Sequence, residues 1–150
     1  MKTKILSFLI LLLITNCGFT PVYESGKKLD YHILINDKEG ERLINNLIQD
    51  EISRFSNPSS QSKIIIKITT EYDKSILTKD SKGSATDYTI SMVTDFEIKE
   101  GTSTNNIIFK DKQVIKNNSD IFEQNNVEDA TKRNFAISAA NKLRLALIDY

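Results

Sequence analysis

Thr86-Asp87-Tyr88-Thr89-Ile90-Ser91-Met92-Val93-Thr94-Asp95-Phe96-Glu97-Ile98-Lys99 is the stretch on which the fold turns. Tyr88, Ile90, Met92, Phe96 and Ile98 hold even positions, while Asp87, Thr89, Ser91, Asp95 and Glu97 hold odd ones. A period of two over this length predicts one long strand with an apolar face and a polar face. Such a strand needs a covering layer on its even side and leaves its odd side to water.

The neighbouring segments extend the same pattern. In Lys63 to Ile76, Ile64, Ile66, Ile68, Tyr72 and Ile76 share one face, and Lys67, Thr69, Glu71 and Asp73 take the other. Leu77 to Ser84, with Lys79, Asp80, Lys82 and Gly83, reads as the polar tip of a hairpin. Gly101 to Asn106 predicts a turn, and Ile107 to Lys116 a fourth strand with weaker alternation and a bulge at Lys110-Asp111. Near the start, Asp30 to Ile35 alternates as a short strand, with Tyr31, Ile33 and Ile35 on one face. Asn36 or Asp37 is placed to cap a helix whose first turn takes Glu39 and Glu41.

Leu43, Ile44, Leu47, Ile48, Ile52 and Phe55 then recur at three- and four-residue spacing, and Asn57-Pro58-Ser59-Ser60 ends that helix. Asn117 to Asn126 reads as a polar loop. A second helix is expected from Val127 to about Ile148, with Phe135, Ala136, Ala139, Ala140, Leu143, Ala146 and Leu147 on one face. Ile137, Leu145 and Ile148 fall on its far side. The order is βαβββα. It predicts an α+β two-layer sandwich, a four-stranded mixed or antiparallel sheet with both helices on one face.

The first residues bear on compartment. Met1-Lys2-Thr3-Lys4 is a short basic segment, followed by an apolar run from Ile5 to Ile14 broken only by Ser7. That run is short for a membrane-spanning helix and reads as a signal peptide over residues 1–16. Ile14-Thr15-Asn16-Cys17 resembles the lipobox of bacterial lipoproteins, with Asn16 where Gly, Ala or Ser is usual. Cys17 is the single cysteine of the chain, so it has no disulfide partner within it. Acylation of its thiol is the expected fate, and several buried acyl chains at roughly 0.8 kcal/mol per methylene make a lasting anchor. Gly18 to Leu29, with Pro21 and Gly26, lacks periodicity and reads as a tether over residues 17–28 ahead of one domain at 29–150. Two of the twenty basic residues and none of the twenty acids lie before Cys17, so the remaining chain has a net charge of −2. That balance, without a long basic run, gives no support for nucleic-acid binding.

Catalytic chemistry is not evident. The chain has one histidine, His32, within an expected strand, and its one cysteine is assigned to lipid. No glycine-rich phosphate loop, metal-spaced His/Asp cluster or nucleophile motif occurs, so neither an enzyme nor a cofactor or metal is expected. Acidic pairs such as Asp50-Glu51 and Glu128-Asp129 read as solvated helix faces or as partners of a helix N-terminal dipole. Binding or scaffolding remains.

Three segments carry a resemblance: Gly18-Phe19-Thr20-Pro21-Val22-Tyr23 after the lipobox, the hairpin Lys82-Gly83-Ser84-Ala85-Thr86-Asp87-Tyr88, and the tail from Asn117 to Tyr150. In order and spacing the chain resembles the LptE family of lipopolysaccharide-assembly lipoproteins, particularly its alphaproteobacterial form. Asp87 stands before Tyr88, where related sequences often carry a base. The resemblance implies an outer-membrane lipoprotein on the periplasmic side that sits in the lumen of an LptD-like β-barrel, supports its assembly and helps deliver lipopolysaccharide. It implies a barrel wall as the partner for Ile137, Leu145 and Ile148. It also implies basic ligand contacts, by match at Lys82 and more loosely at Lys112, with Lys79 and Lys110 beside them as further candidates for lipid A phosphates. A pilot or chaperone lipoprotein for another envelope machine is the alternative of a different class.

Lipidation is directly testable. Cys17→Ser removes the acyl acceptor, so palmitate labelling should vanish and an uncleaved or soluble species should accumulate. Normal labelling of the serine variant would refute the anchor.

Overall fold

A computed structural model describes residues 28–148. The expected signal peptide, lipidated Cys17 and tether up to residue 27 lie outside these described residues, as do residues 149 and 150. The long alternating stretch forms β3 (Ala85–Glu100), and around it lie β1 (His32–Gly40), α1 (Arg42–Phe55), β2 (Lys63–Lys79), β4 (Ser103–Lys116) and α2 (Ile121–Ile148). The sheet is mixed, in the order β1-β2-β3-β4, with β1 parallel to β2 and the other two pairings antiparallel. The βαβββα order and the α+β class are as the sequence predicts.

The even positions do face the helices. Ile64, Ile66, Ile68, Ile90, Met92, Phe96 and Ile98 are buried against Ile44, Ile48 and Ile52 of α1 and Phe135, Ala139, Leu143 and Leu147 of α2. Each fully buried Ile, Leu or Phe side chain contributes roughly 1.5–3 kcal/mol relative to exposure, so this single layer drives the fold. The alanines of α2 keep that helix close to the sheet. Phe96 meets Phe109 of β4 edge to face, with ring centroids 5.9 Å apart.

Several boundaries differ from the sequence expectation, each for a physical reason. β1 does not stop at Ile35; after a register shift between Ile35 and Asp37 it continues to Gly40 opposite Thr70. Neither Asn36 nor Asp37 caps α1, and Glu39 lies in the strand with its carboxylate 2.6 Å from Lys67 Nζ. Glu41 is the N-cap residue and makes no side-chain cap hydrogen bond. Gly40 permits the change of direction, because its φ is +89° and a Cβ there would lie 1.7 Å from the Thr70 carbonyl oxygen.

β2 extends to Lys79, so the connecting turn shrinks to Asp80–Ser84; β4 starts at Ser103, and its pairing with β3 runs through Lys110 and Asp111 without a bulge. The bulging falls instead at the end of β2, around Leu77. α2 begins at Ile121, six residues earlier than its apolar spacing suggests. Asp120 Oδ1 accepts the Phe122 and Glu123 N–H groups at 2.8 and 3.3 Å, a cap that lets a polar segment be helical. At the other edge, the first half of β1 is closed by the chain leaving α1. The Ile33 N–H donates to Ser56 Oγ at 2.9 Å, and the Asn57 N–H donates to the Tyr31 carbonyl at 2.9 Å.

A polar knot ties α2 to the sheet. Glu128 accepts from Tyr72 Oη at 2.7 Å and Lys74 Nζ at 2.6 Å, and Lys132 Nζ lies 3.3 Å away. The Lys132 ammonium stands over the Tyr72 ring and that of Lys74 over Tyr88. Burial works to raise the Glu128 pKa but is outweighed by hydrogen bonds from Lys74 and Tyr72 and by the Lys74 charge, which hold it down to about 2. Burial, then the hydrogen bond to Glu128, pushes the Tyr72 phenol up. On the β4 side, Lys142 Nζ donates to Asp111 Oδ1 at 2.8 Å.

Two stability measurements follow from this packing. Ile90 is fully buried on the helix side, so Ile90→Asp places an unpaired carboxylate in the core and should cost about 3–5 kcal/mol or abolish folding. Ser91→Asp, on the opposite face between Asp73 and Lys112, should change stability by less than about 1 kcal/mol. Thr89, which the sequence pattern offers as a benign position on that face, is buried between its cross-strand neighbours Ser75 and Val114 and is a poor control. Equal losses for Ile90→Asp and Ser91→Asp in urea unfolding would refute the assigned faces.

The Glu128 knot predicts acid sensitivity. Its folded pKa lies below the unfolded value of 4.5, so its stabilisation is complete above that pH and is lost as pH falls towards about 2. Removing it should cost roughly 1–2 kcal/mol at neutral pH, after discounting for water around the pair. Glu128→Gln should therefore unfold earlier in urea at pH 7, and the gap to the native chain should close between about pH 4.5 and 2. A gap that does not change with pH would rule out a charged knot.

Candidate functional site

The helices cover one face of the sheet and leave the other open, and the register assigns every residue on it. Reading across from β2 to β4, Glu71, Val93 and Lys110 form one row, and Asp73, Ser91 and Lys112 the next. An acidic edge on β2 and a basic edge on β4 thus run along either side of an uncharged β3 segment. Further along the same face, beyond the Thr69-Asp95-Ile108 row, Lys67 meets Asp37 at 3.5 Å and Glu39 at 2.6 Å, and Lys99 meets Glu97 at 2.7 Å. The hydrogen bond with Glu39 is the largest influence raising the Lys67 pKa, and that with Lys99 lowers the Glu97 pKa. Exposed apolar side chains on this face are scattered, with Ile108 and Val114 on β4 and Leu34 and Ile65 at the far edge. The face suits a hydrated partner surface better than an apolar one.

The four candidate lysines fall into two groups. Lys79 ends β2 opposite Ala85, and Lys82 lies in the turn, where its N–H donates to Asp80 Oδ1 at 2.8 Å. Lys110 and Lys112 lie opposite Val93 and Ser91, in the body of the sheet. Six and eight residues of β3 separate those positions from Ala85, roughly 20 and 27 Å at 3.4 Å per residue. The hairpin end and the β4 lysines therefore cannot grip one phosphate together. Lys116, which the sequence reading passed over, is the β4 lysine at the hairpin end, opposite Asp87. Hydrogen bonds from Thr78 and Thr86, and the Lys116 charge, hold the Asp87 carboxyl below the usual carboxylate range.

Sequence reading also missed the roles of Lys74, Lys132, Asp111 and Lys142, and it placed on a solvated helix face the Glu128 that is instead held among Tyr72, Lys74 and Lys132. A signal existed for two of them: Lys74 and Asp111 are charges in register with the apolar face, beside Ile90 and Met92. A charge there needs a partner from the covering helix. Ile137, Leu145 and Ile148 are 37 %, 64 % and 58 % exposed, on the side of α2 away from the core. At the same end, Lys28 to Tyr31 and the α2 residues Arg144, Leu147 and Ile148 line a cavity of about 450 Å³. Among the described residues no group of His, Cys, Asp and Glu could hold a metal ion, and no helix is long and apolar enough to cross a membrane.

No family model matches the chain, and no curated protein matches it in sequence. Solved structures do match in fold. The rare lipoprotein B of Shewanella oneidensis is 9% identical with a TM-score of 0.61, over 79% of this chain and 93% of that one. A minor lipoprotein of Acinetobacter baumannii is 9% identical with a TM-score of 0.54, over 75% and 87%. A putative lipoprotein of Caulobacter crescentus CB15 is 12% identical with a TM-score of 0.51, over 75% and 86%. The βαβββα domain described above has the fold of these lipoproteins.

Proposed function

We propose that this chain is the lipid-anchored LptE-type subunit of a lipopolysaccharide translocon, seated in the lumen of an LptD-like outer-membrane β-barrel. The observation that carries the reading is the pairing of a lipobox-like Ile14-Thr15-Asn16-Cys17 with a fold common to bacterial lipoproteins. The open sheet face supports it. Barrel lumens are polar, and a face with acidic and basic edges and scattered apolar side chains fits such a wall without burying an unpaired apolar surface. Ile137, Leu145 and Ile148 supply the apolar part of the barrel contact. Lys79 and Lys82 at the hairpin end, and Lys110 and Lys112 on β4, form two separate phosphate-contacting groups for lipid A. The reading assigns the chain no catalytic role. A pilot for another envelope machine is the competing reading, and it shares the anchor and the fold.

The lipidated protein purified from its own membranes in mild detergent should bring down one large β-barrel in near-equal amount. A secretin or an inner-membrane complex in its place would select the pilot reading, and a lone monomer would refute both. Lipopolysaccharide binding by the same preparation should weaken several-fold in Lys82→Glu and in Lys112→Glu, and weaken further with added salt. Unchanged binding in both variants would remove these lysines from the ligand site.

A further inference from the structure

α2 opens with two apolar side chains that the core does not use: Ile121 and Phe122 are 77 % and 72 % exposed. At the bulged end of β2, Ile76 and Leu77 are 51 % and 50 % exposed, although Ile76 is in register with the helix side of the sheet, opposite Tyr88. The fold brings these two pairs to one place. Glu128 and Lys132 mark the stripe of α2 that meets Tyr72 and Lys74 of β2. Ile121 is on that stripe, seven residues or roughly 10 Å before Glu128, and Phe122 adjoins it on the outer side. Leu77 lies three residues, again roughly 10 Å, beyond Lys74. Both steps lead to the hairpin end, where the Asn117 N–H donates to the Thr86 carbonyl at 2.8 Å just before α2 begins.

The cations bordering this cluster are unpaired and the acids are engaged. Lys79 follows Leu77 by two residues and Lys82 stands in the turn, and among the described residues neither forms an ion pair. Asp80 accepts the Lys82 and Ser84 N–H groups, and Asp87 accepts from Thr78 and Thr86. Asp120 caps α2, and Glu123 accepts from Asn118 Nδ2. We infer that the acyl chains of a phosphorylated lipid lie across Ile76, Leu77, Ile121 and Phe122, with a headgroup phosphate against Lys79 and Lys82. The inference deepens the ligand reading above and rests on the hairpin lysines contacting phosphate. An apolar cluster edged by ammonium groups without carboxylate partners matches an amphiphile with an anionic head. The β4 lysines, with only Ile108 and Val114 exposed beside them, offer a phosphate contact but no place for a chain. Phe122 is 23 residues of helix from Leu145, roughly 35 Å, so this end is separate from the residues given to the barrel wall.

The test compares two ligands of the full lipidated chain in mild detergent: lipid A, and its fully deacylated bisphosphorylated disaccharide. Burial of the chains predicts that the native protein binds lipid A more tightly by about tenfold or more. In the double variant Ile121→Ser, Phe122→Ser that preference should disappear, with binding of the disaccharide unchanged. Both side chains are exposed, so its urea unfolding should match the native chain. Lys82→Glu should weaken both ligands alike. Equal binding of the two ligands by the native protein, or a preference that survives in the double variant, would overturn the acyl site and leave the phosphate contacts standing. Loss of the barrel partner from the double variant with its lipid A preference intact would assign the cluster to a protein contact, and overturn it too. Binding of neither ligand would instead refute the lipopolysaccharide reading itself.

Discussion

The antiparallel ladder between β2 and β3 is the constraint on which the other elements depend. It runs from Ile65 opposite Lys99 to Lys79 opposite Ala85, and it fixes which side chains of both strands face the helices. A slip of one residue in β3 would turn Ile90, Met92, Phe96 and Ile98 to water at once. β4 takes its register from β3, and β1 takes its own from β2. Only then is the apolar face wide enough for two helices. α1 arrives by the crossover between β1 and β2, and α2 returns across the sheet from the end of β4. The charged knot at Glu128 adds a polar tie between α2 and β2 to the apolar contacts of Phe135, Leu143 and Leu147.

The strands were legible because their physics is local. A side chain on β3 alternates whatever lies above it, and Tyr88 to Ile98 announce that period without help. The α1 stripe from Ile44 to Phe55 was legible for the same reason. The ends of elements were not. Asp37, Lys38 and Glu39 look like the start of a helix, but pairing with Lys67 to Thr69 holds them in a strand. That partner lies thirty residues away and leaves no mark in the local pattern. The first turns of α2 were hidden because Asn125 and Asn126 are poor helix formers, and the cap at Asp120 outweighs them.

The candidate site divides along the same line. Lysines can be found by reading, but whether they converge depends on register, which separates Lys79 from Lys112 by many residues of β3. The exposed residues Ile137, Leu145 and Ile148 were found from helical spacing alone, because the core face of α2 is defined by Phe135, Ala139 and Leu143. Chemistry that depends on two distant elements meeting, such as Tyr72 with Glu128 or Asp111 with Lys142, was out of reach except through the oddity of a charge in an apolar register.

The two sheet edges are guarded differently. β1 has part of its outer backbone engaged by Ser56 and Asn57, whereas β4 carries Lys110, Lys112 and Lys116 along fourteen residues. An uncovered strand of that length is a template for intermolecular pairing, and repelling ammonium groups are a common way to blunt it. Loss of charge at Lys110, Lys112 and Lys116 would therefore favour pairing between the edges of two copies without loosening the core.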